Sequence, residues 1–291
     1  MRRLLIVGCG DVVRRALPQL LRRWRVYALV RRHDSRLADQ GVVQIVGDLD
    51  RRDSLRRLAG LADAVIHSAP PPAEGSDDSR TARFLASLQT AKILPRTLVY
   101  IGTTGVYGNC AGAWTDETRA AMPQTDRARR RADAEARLRR FGVRSGCRVI
   151  LLRAPGIYAA DRLPLDRLRQ GLPLPCAEDD SFTNHIHADD LAAALTQALR
   201  HGRPNRAYNV VDDAAMPMGD WFDLLADSFG LPRAPRLPRD QAMARLSPMQ
   251  RSFMGESRRL RNRRLKGELG LRLRFPTVYE GIAAARRERT S

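Results

Sequence analysis

Short apolar runs of strand length alternate with longer stretches in which apolar residues recur at helical spacing. Leu4–Val7 is apolar throughout, and the following Val12–Arg23 places Val13, Leu17, Leu20 and Leu21 on one helical face. Further strands are predicted at Val26–Val30, Val42–Val46, Ala64–His67, Thr97–Ile101 and Val149–Leu152. Helices are predicted between them at Ser35–Gln40, Asp53–Ala59, Ser79–Ala91 and Arg127–Phe141. Strands that are apolar on both faces, separated by helices, imply a parallel sheet covered on both sides.

The rhythm changes past Ala154. A short helix at Leu163–Gly171, the proline-rich Leu172–Cys176, a helix at Ala188–Arg200 and a strand at Ala207–Val211 follow. Helical segments interrupted by Pro232, Pro235, Pro238 and Pro248 then lead to the end. The expected organisation is a nucleotide-binding domain over residues 1–155, to which 185–212 return. Residues 156–184 and 213–291 would form a smaller substrate lobe. No internal repeat is visible. No apolar stretch reaches the roughly 18 residues a membrane helix needs. The apolar run near the start stops at Gly8, too short for a secretory signal, so a cytoplasmic location is expected.

Charge adds one question. The 291 residues carry a net charge of +19, yet 49 of the 51 basic residues are arginine, spread along the chain. That usage fits a GC-rich genome writing Arg on solvated surfaces. The aromatic interleaving of single-strand nucleic-acid binders is missing, so nucleic acid is not the expected partner. Acidic small ligands are favoured by the overall field. The four cysteines, Cys9, Cys110, Cys147 and Cys176, form no CxxC pair and read as reduced thiols. No metal site is expected.

The most informative segment is Leu4-Leu5-Ile6-Val7-Gly8-Cys9-Gly10-Asp11-Val12-Val13, a strand running through glycines into a helix. Gly8 supplies a tight turn, and Gly10 lets backbone approach a pyrophosphate at the helix N-terminus. Val13 stands where GxGxxG has its third glycine. After the second strand come Arg31 and Arg32, where a site for NAD usually has an acidic residue. Paired guanidinium groups suit a ribose 2′-phosphate, which makes NADP(H) the expected cofactor ahead of NAD(H). Asp48 and Leu49 end the third strand; Asp48 serves either the adenine amino group or the following turn. Ala69-Pro70 begins a stiff loop after the fourth strand that suits a close pass by the cofactor.

These features resemble the short-chain dehydrogenase/reductase superfamily, in its extended and atypical, epimerase/dehydratase-like branches. Tyr100 to Gly108 (YIGTTGVYG), Leu152 to Tyr158 (LRAPGIY), Asn184 to Leu191 (NHIHADDL) and Ala207 to Val210 (AYNV) carry the likeness across almost the whole chain. The resemblance implies an α/β fold with a Rossmann-type doubly wound parallel sheet and a smaller C-terminal lobe. It also implies a substrate-orienting hydroxyl at Thr103 and a YxxxK pair on the next helix. That helix reads Arg127-Ala128-Arg129-Arg130-Arg131, so Arg127 replaces the tyrosine and Arg131 the lysine. Arg131 can still hold ribose hydroxyls. Arg127 cannot shuttle a proton near neutral pH.

Tyr158, His185 and His187 are the remaining proton-transfer candidates, each with a structural alternative. Asp189 and Asp190 are expected as helix caps. Thr183 stands where relatives acting on nucleotide sugars often have an arginine, which points away from such substrates. The resulting expectation is an NADP(H)-dependent oxidoreductase or epimerase/dehydratase relative for a small carbonyl or sugar-type molecule. Thr103, Arg131 and Tyr158 would be at its reacting centre. Residues 8–13, Arg31, Arg32, Asp48, Leu49, Ala69, Pro70, Thr103, Arg131 and Pro155 would be around the cofactor. The alternative is a catalytically degenerate protein that senses NADPH. A homodimer is the expected assembly, with no membrane partner.

Overall fold

Seven parallel strands form the central sheet of the computed structural model, which describes residues 1–290. They are β1 (Arg2–Val7), β2 (Trp24–Val30), β3 (Val43–Val46), β4 (Ala64–His67), β5 (Thr97–Thr103), β6 (Arg148–Ala154) and β7 (Arg206–Asn209). Their spatial order is β7-β6-β5-β4-β1-β2-β3. The chain starts in the middle, winds outward through β3, returns past β1 and winds out the other way. This is the doubly wound Rossmann arrangement expected from the sequence, and its order reverses between β1 and β4.

The two faces follow the alternation within each strand. Leu4 and Ile6 of β1 enter one core with α1 (Asp11–Leu21) and α6 (Ala188–His201). Leu5 and Val7 enter the other, under α3 (Ser79–Leu88) and α4 (Asp126–Ser145). All four side chains are fully buried, which is why β1 reads as unbroken apolar sequence. The segment predicted as a helix at Asp53–Ala59 is a 3₁₀ helix, Arg52–Leu58. A short helix α2 (Ser35–Asp39) is capped by Asp34, whose side chain accepts the Arg36 amide.

A third core gathers α5 (Leu165–Arg169) and α7 (Met218–Phe229) with Leu174, Leu246, Val278 and Ile282. Around it lie α8 (Arg239–Ala244), α9 (Pro248–Met254) and α11 (Val278–Thr290). Leu265 of α10 (Arg263–Gly267), with Leu269 and Leu271, packs instead into the sheet core that holds α1 and α6. The C-terminal third therefore serves two cores.

Helix α6 starts differently from expectation. His187 is its cap, with Nδ1 accepting the Asp189 amide at 3.2 Å. Asp190 accepts the amides of Arg274 and Phe275, pinning the distant chain, and Asp189 pairs with Arg15 at 2.9 Å. No helix is long and apolar enough to cross a membrane among the described residues.

Candidate nucleotide groove and substrate cleft

Parallel strands present their C-terminal ends on one rim, and two cavities lie along it. The first, of about 460 Å³, spans the ends of β1, β2, β3 and β4. Gly8 has φ +92°, and a Cβ there would stand 2.3 Å from the Ala69 amide nitrogen. The loops after β1 and β4 thus touch through backbone alone, which only glycine allows. Gly10 caps α1 with extended backbone and no side-chain hydrogen bond. The first amides of α1, at Asp11, Val12 and Val13, have no intrahelical partner and are the anion-binding end of the helix.

The expected cofactor residues divide by how they take part. Val12 and Val13 bury their side chains in the core and offer the groove only backbone. Asp11 turns its carboxylate to Arg15 and Arg162, both at 3.0 Å. Arg31, Arg32, Asp48, Leu49, Ala69 and Pro70 all line the groove. Arg31 and Arg32 are exposed just past β2. Asp48 caps its own turn, its Oδ1 accepting the Asp50 amide at 2.9 Å.

Three groove residues had no signal in the sequence. Arg14 donates to the Cys9 carbonyl at 3.1 Å and pairs with Asp34 at 2.5 Å, tying the glycine loop to the segment after β2. That contact holds the Asp34 carboxyl below its usual range. Arg80 reaches in from α3 and pairs with Asp50 at 2.6 Å. Cys9 sits among them with its thiol pushed up to about 11 by burial, so it is no nucleophile at neutral pH.

The second cavity, of about 430 Å³, opens between the ends of β5 and β6 and the C-terminal helices. Thr103, Pro155 and Tyr158 line it, with Arg127 on its wall. Thr103 Oγ1 accepts the Gly105 amide at 3.1 Å, which fixes the hydroxyl at the strand end. Arg127 lies in the first turn of α4, a helix capped by Thr125. Burial pulls its pKa below the usual arginine value, opposed by the attraction of Glu256.

Beneath Thr103 the fold places a buried ion pair. Arg153 of β6 donates twice to Glu135 of α4, at 2.9 and 2.6 Å, and both side chains are only 6% exposed. Arg153 also lies over the Tyr107 ring at 4.7 Å. Gly102, the register partner of Arg153, faces the same carboxylate. The pair locks α4 to the strands that carry Thr103.

Arg131 does not line either cavity. Its guanidinium donates to the Tyr100 hydroxyl at 3.0 Å and the Ile101 carbonyl at 3.4 Å, between α4 and β5. Tyr158 reaches the cleft but is 2% exposed, and its hydroxyl donates to the Thr277 carbonyl at 3.4 Å. Burial drives its pKa far upward. His185 stacks on Trp221 with centroids 4.1 Å apart, and burial lowers its pKa to about 3. Burial also lowers the His187 pKa. Both rings are therefore neutral at physiological pH.

Sequence reasoning missed Glu256 and Trp221 in this cleft. Glu256 stands beside Arg258, with Oε2 2.7 Å from the guanidinium. Its only available signal was being one of two acids in the basic run from Arg251 to Arg274. Trp221 comes from α7 and has no motif around it.

The fold recurs in solved structures. A functionally unknown conserved protein from Silicibacter pomeroyi is 27% identical over the full length of both chains, with a TM-score of 0.82. The NAD-dependent epimerase/dehydratase-like protein of Methylobacillus flagellatus is 23% identical, covering 100% of this chain and 99% of that one, at 0.72. UDP-glucose 4-epimerase from Thermotoga maritima is 16% identical, covering 99% and 100%, at 0.79. No curated protein matches the sequence. The glycine turn, the bare start of α1 and the epimerase/dehydratase-like sheet agree with a match of residues 8–202 to the NAD(P)H-binding family, and the chain belongs to that family.

Proposed function

We propose that this protein is an NADP(H)-dependent oxidoreductase or epimerase/dehydratase relative acting on a small carbonyl or sugar-type substrate without the usual tyrosine. The observation that carries the reading is the juxtaposition of groove and cleft on one sheet rim, with Arg31 and Arg32 at the far end of the groove. The residues present fit the cofactor. The α1 amides would hold its diphosphate, and Arg31, Arg32 and Arg14 stand where a 2′-phosphate needs donors. When bound, the nicotinamide supplies a hydride donor or acceptor. Thr103 orients the substrate, and the aromatic floor of His185 and Trp221 excludes water.

Titration with NADPH, NADP, NADH and NAD tests this directly. The reading expects the phosphorylated forms to bind at least about tenfold tighter, as paired charge-assisted hydrogen bonds to a phosphate would give. Equal affinities remove the role of Arg31 and Arg32. No binding of any of the four at millimolar concentration removes the whole assignment. With an active substrate in hand, Thr103→Ala is expected to slow NADPH consumption, and an unchanged rate would remove Thr103 from the reaction.

A second reading is an NADPH-responsive binding protein. Arg127 at the tyrosine position and the neutral, buried histidines favour it. Tight NADPH binding with no turnover across a broad carbonyl and sugar panel would select it.

A further inference from the structure

The two ends of the cleft differ in chemistry. Thr103 stands at the sheet end, and its Oγ1 already accepts the Gly105 amide at 3.1 Å. A hydroxyl that has accepted one proton still has its own to donate, so a carbonyl oxygen is a group that fits there. The lobe end is apolar, lined by Ile157, Phe182, Met218, Trp221, Phe222 and Met254. Ile157, Phe182 and Met218 are only half-buried, which leaves part of their apolar surface to the cavity.

The polar side chains on the same walls are engaged by the protein itself. Asn184 Nδ2 donates to the Arg258 carbonyl at 2.9 Å, and its Oδ1 accepts the Leu260 amide at 2.9 Å. Gln250 Oε1 accepts the Ser247 amide at 2.9 Å, completing the cap of α9. Arg162 pairs with Asp11 at 3.0 Å, and Arg258 with Glu256 at 2.7 Å. Arg167 donates to the Pro173 carbonyl at 2.8 Å and lies over the Phe222 ring at 5.1 Å. A polyhydroxylated ligand needs a partner for every hydroxyl it brings out of water, and each one left unmet weakens binding. An apolar body makes no such demand and gains by leaving water. The volume of about 430 Å³ lies in the range of small-molecule sites.

We infer that the cleft takes a carbonyl compound with an apolar, ring-sized body, its oxygen on the Thr103 hydroxyl and its body against Phe182, Met218 and Trp221. The inference selects the apolar carbonyl over the sugar within the reading above, and it rests on that reading for the role of Thr103.

Ligand-observed NMR titration of the full chain tests it, with 4-phenyl-2-butanone, 2-butanone and D-erythrose as probes and NADPH binding measured in parallel. The phenyl ketone is expected to bind at least about tenfold tighter than either of the others, as burial of one ring gives. Thr103→Val, which keeps the shape and removes the hydroxyl, is expected to weaken it about fivefold. Phe182→Ser is expected to lose about tenfold, and Phe182→Leu to recover part of that, which separates recognition from misfolding. Arg259 lies over both Phe182 and Trp114, at 4.6 and 5.2 Å. Trp114→Ser therefore removes the same kind of contact outside the cleft and is expected to bind the ketone as the wild type does. Erythrose binding as tightly as the phenyl ketone, no binding of the ketone, or equal affinities in Phe182→Ser and Trp114→Ser would overturn the inference. NADPH binding that persists in that event leaves the cofactor reading standing. Ketone binding without NADPH binding removes the cofactor reading and leaves the preference of the cleft.

Discussion

The groove and the cleft share one rim but are built by different means. The groove is made from backbone, with a glycine turn, the open end of α1 and a few surface arginines reaching over it. The cleft is made from side chains brought together from widely separated stretches of chain. A site made of backbone tolerates sequence change wherever no Cβ intrudes. A site made of side chains can exchange its chemistry while the fold stays.

The largest expected effect falls on the support beneath the cleft. Glu135→Ala leaves Arg153 buried without its carboxylate, and a loss of about 3–5 kcal/mol is expected. Chemical denaturation of the variant checks this. A loss below about 1 kcal/mol would mean the rim beneath Thr103 is held by something else. Next comes Gly8→Ala, which forces both a left-handed backbone and a contact with Ala69. The strain of about 2–3 kcal/mol should appear as a roughly 100-fold weaker NADPH affinity by fluorescence titration. Normal affinity would show that the two loops separate freely.

Replacing Arg31 and Arg32 together by Ala should cost about 2 kcal/mol of NADPH binding and leave NADH binding unchanged. Equal losses for both would assign these arginines to the general field. The smallest effect tests the cleft side. Asp212, whose amide donates to the His185 carbonyl, has its pKa raised to about 8, chiefly by burial. The unfolded chain releases this proton near pH 4 and the folded protein holds it to about pH 8. The folded state thus binds the extra proton between those limits, and its stability falls as pH rises through them. Asp212→Asn should therefore be more stable than the wild type at pH 8, by about 1 kcal/mol or more, with the gap closing toward pH 4. Thermal melts at the two pH values measure it, and a constant gap would contradict the assignment.

The same contrast explains what the sequence disclosed. Gly8, Gly10, Arg31, Arg32, Asp48 and Ala69 follow directly from strand ends, so locating the strands locates the groove. Cleft residues arrive over long separations: Glu256 meets the Thr103 turn from more than 150 positions away. Their sequence neighbourhoods say nothing of that meeting. Arg131 shows the limit of register. Its place on α4 matches the lysine of the family motif, yet Tyr100 and the Ile101 carbonyl claim its guanidinium. Acids favour helix starts, which makes Asp189 and Asp190 the expected caps, but His187 takes that role with its ring packed against Phe275.

One clasp joins the two halves. Arg15 of α1 grips Asp11, Asp161 and Asp189 together, while Arg162 from the cleft wall returns to Asp11. The helix whose amides open on the groove is thereby buckled to the loop that borders the cleft. Five charged side chains thus fasten one chamber to the other.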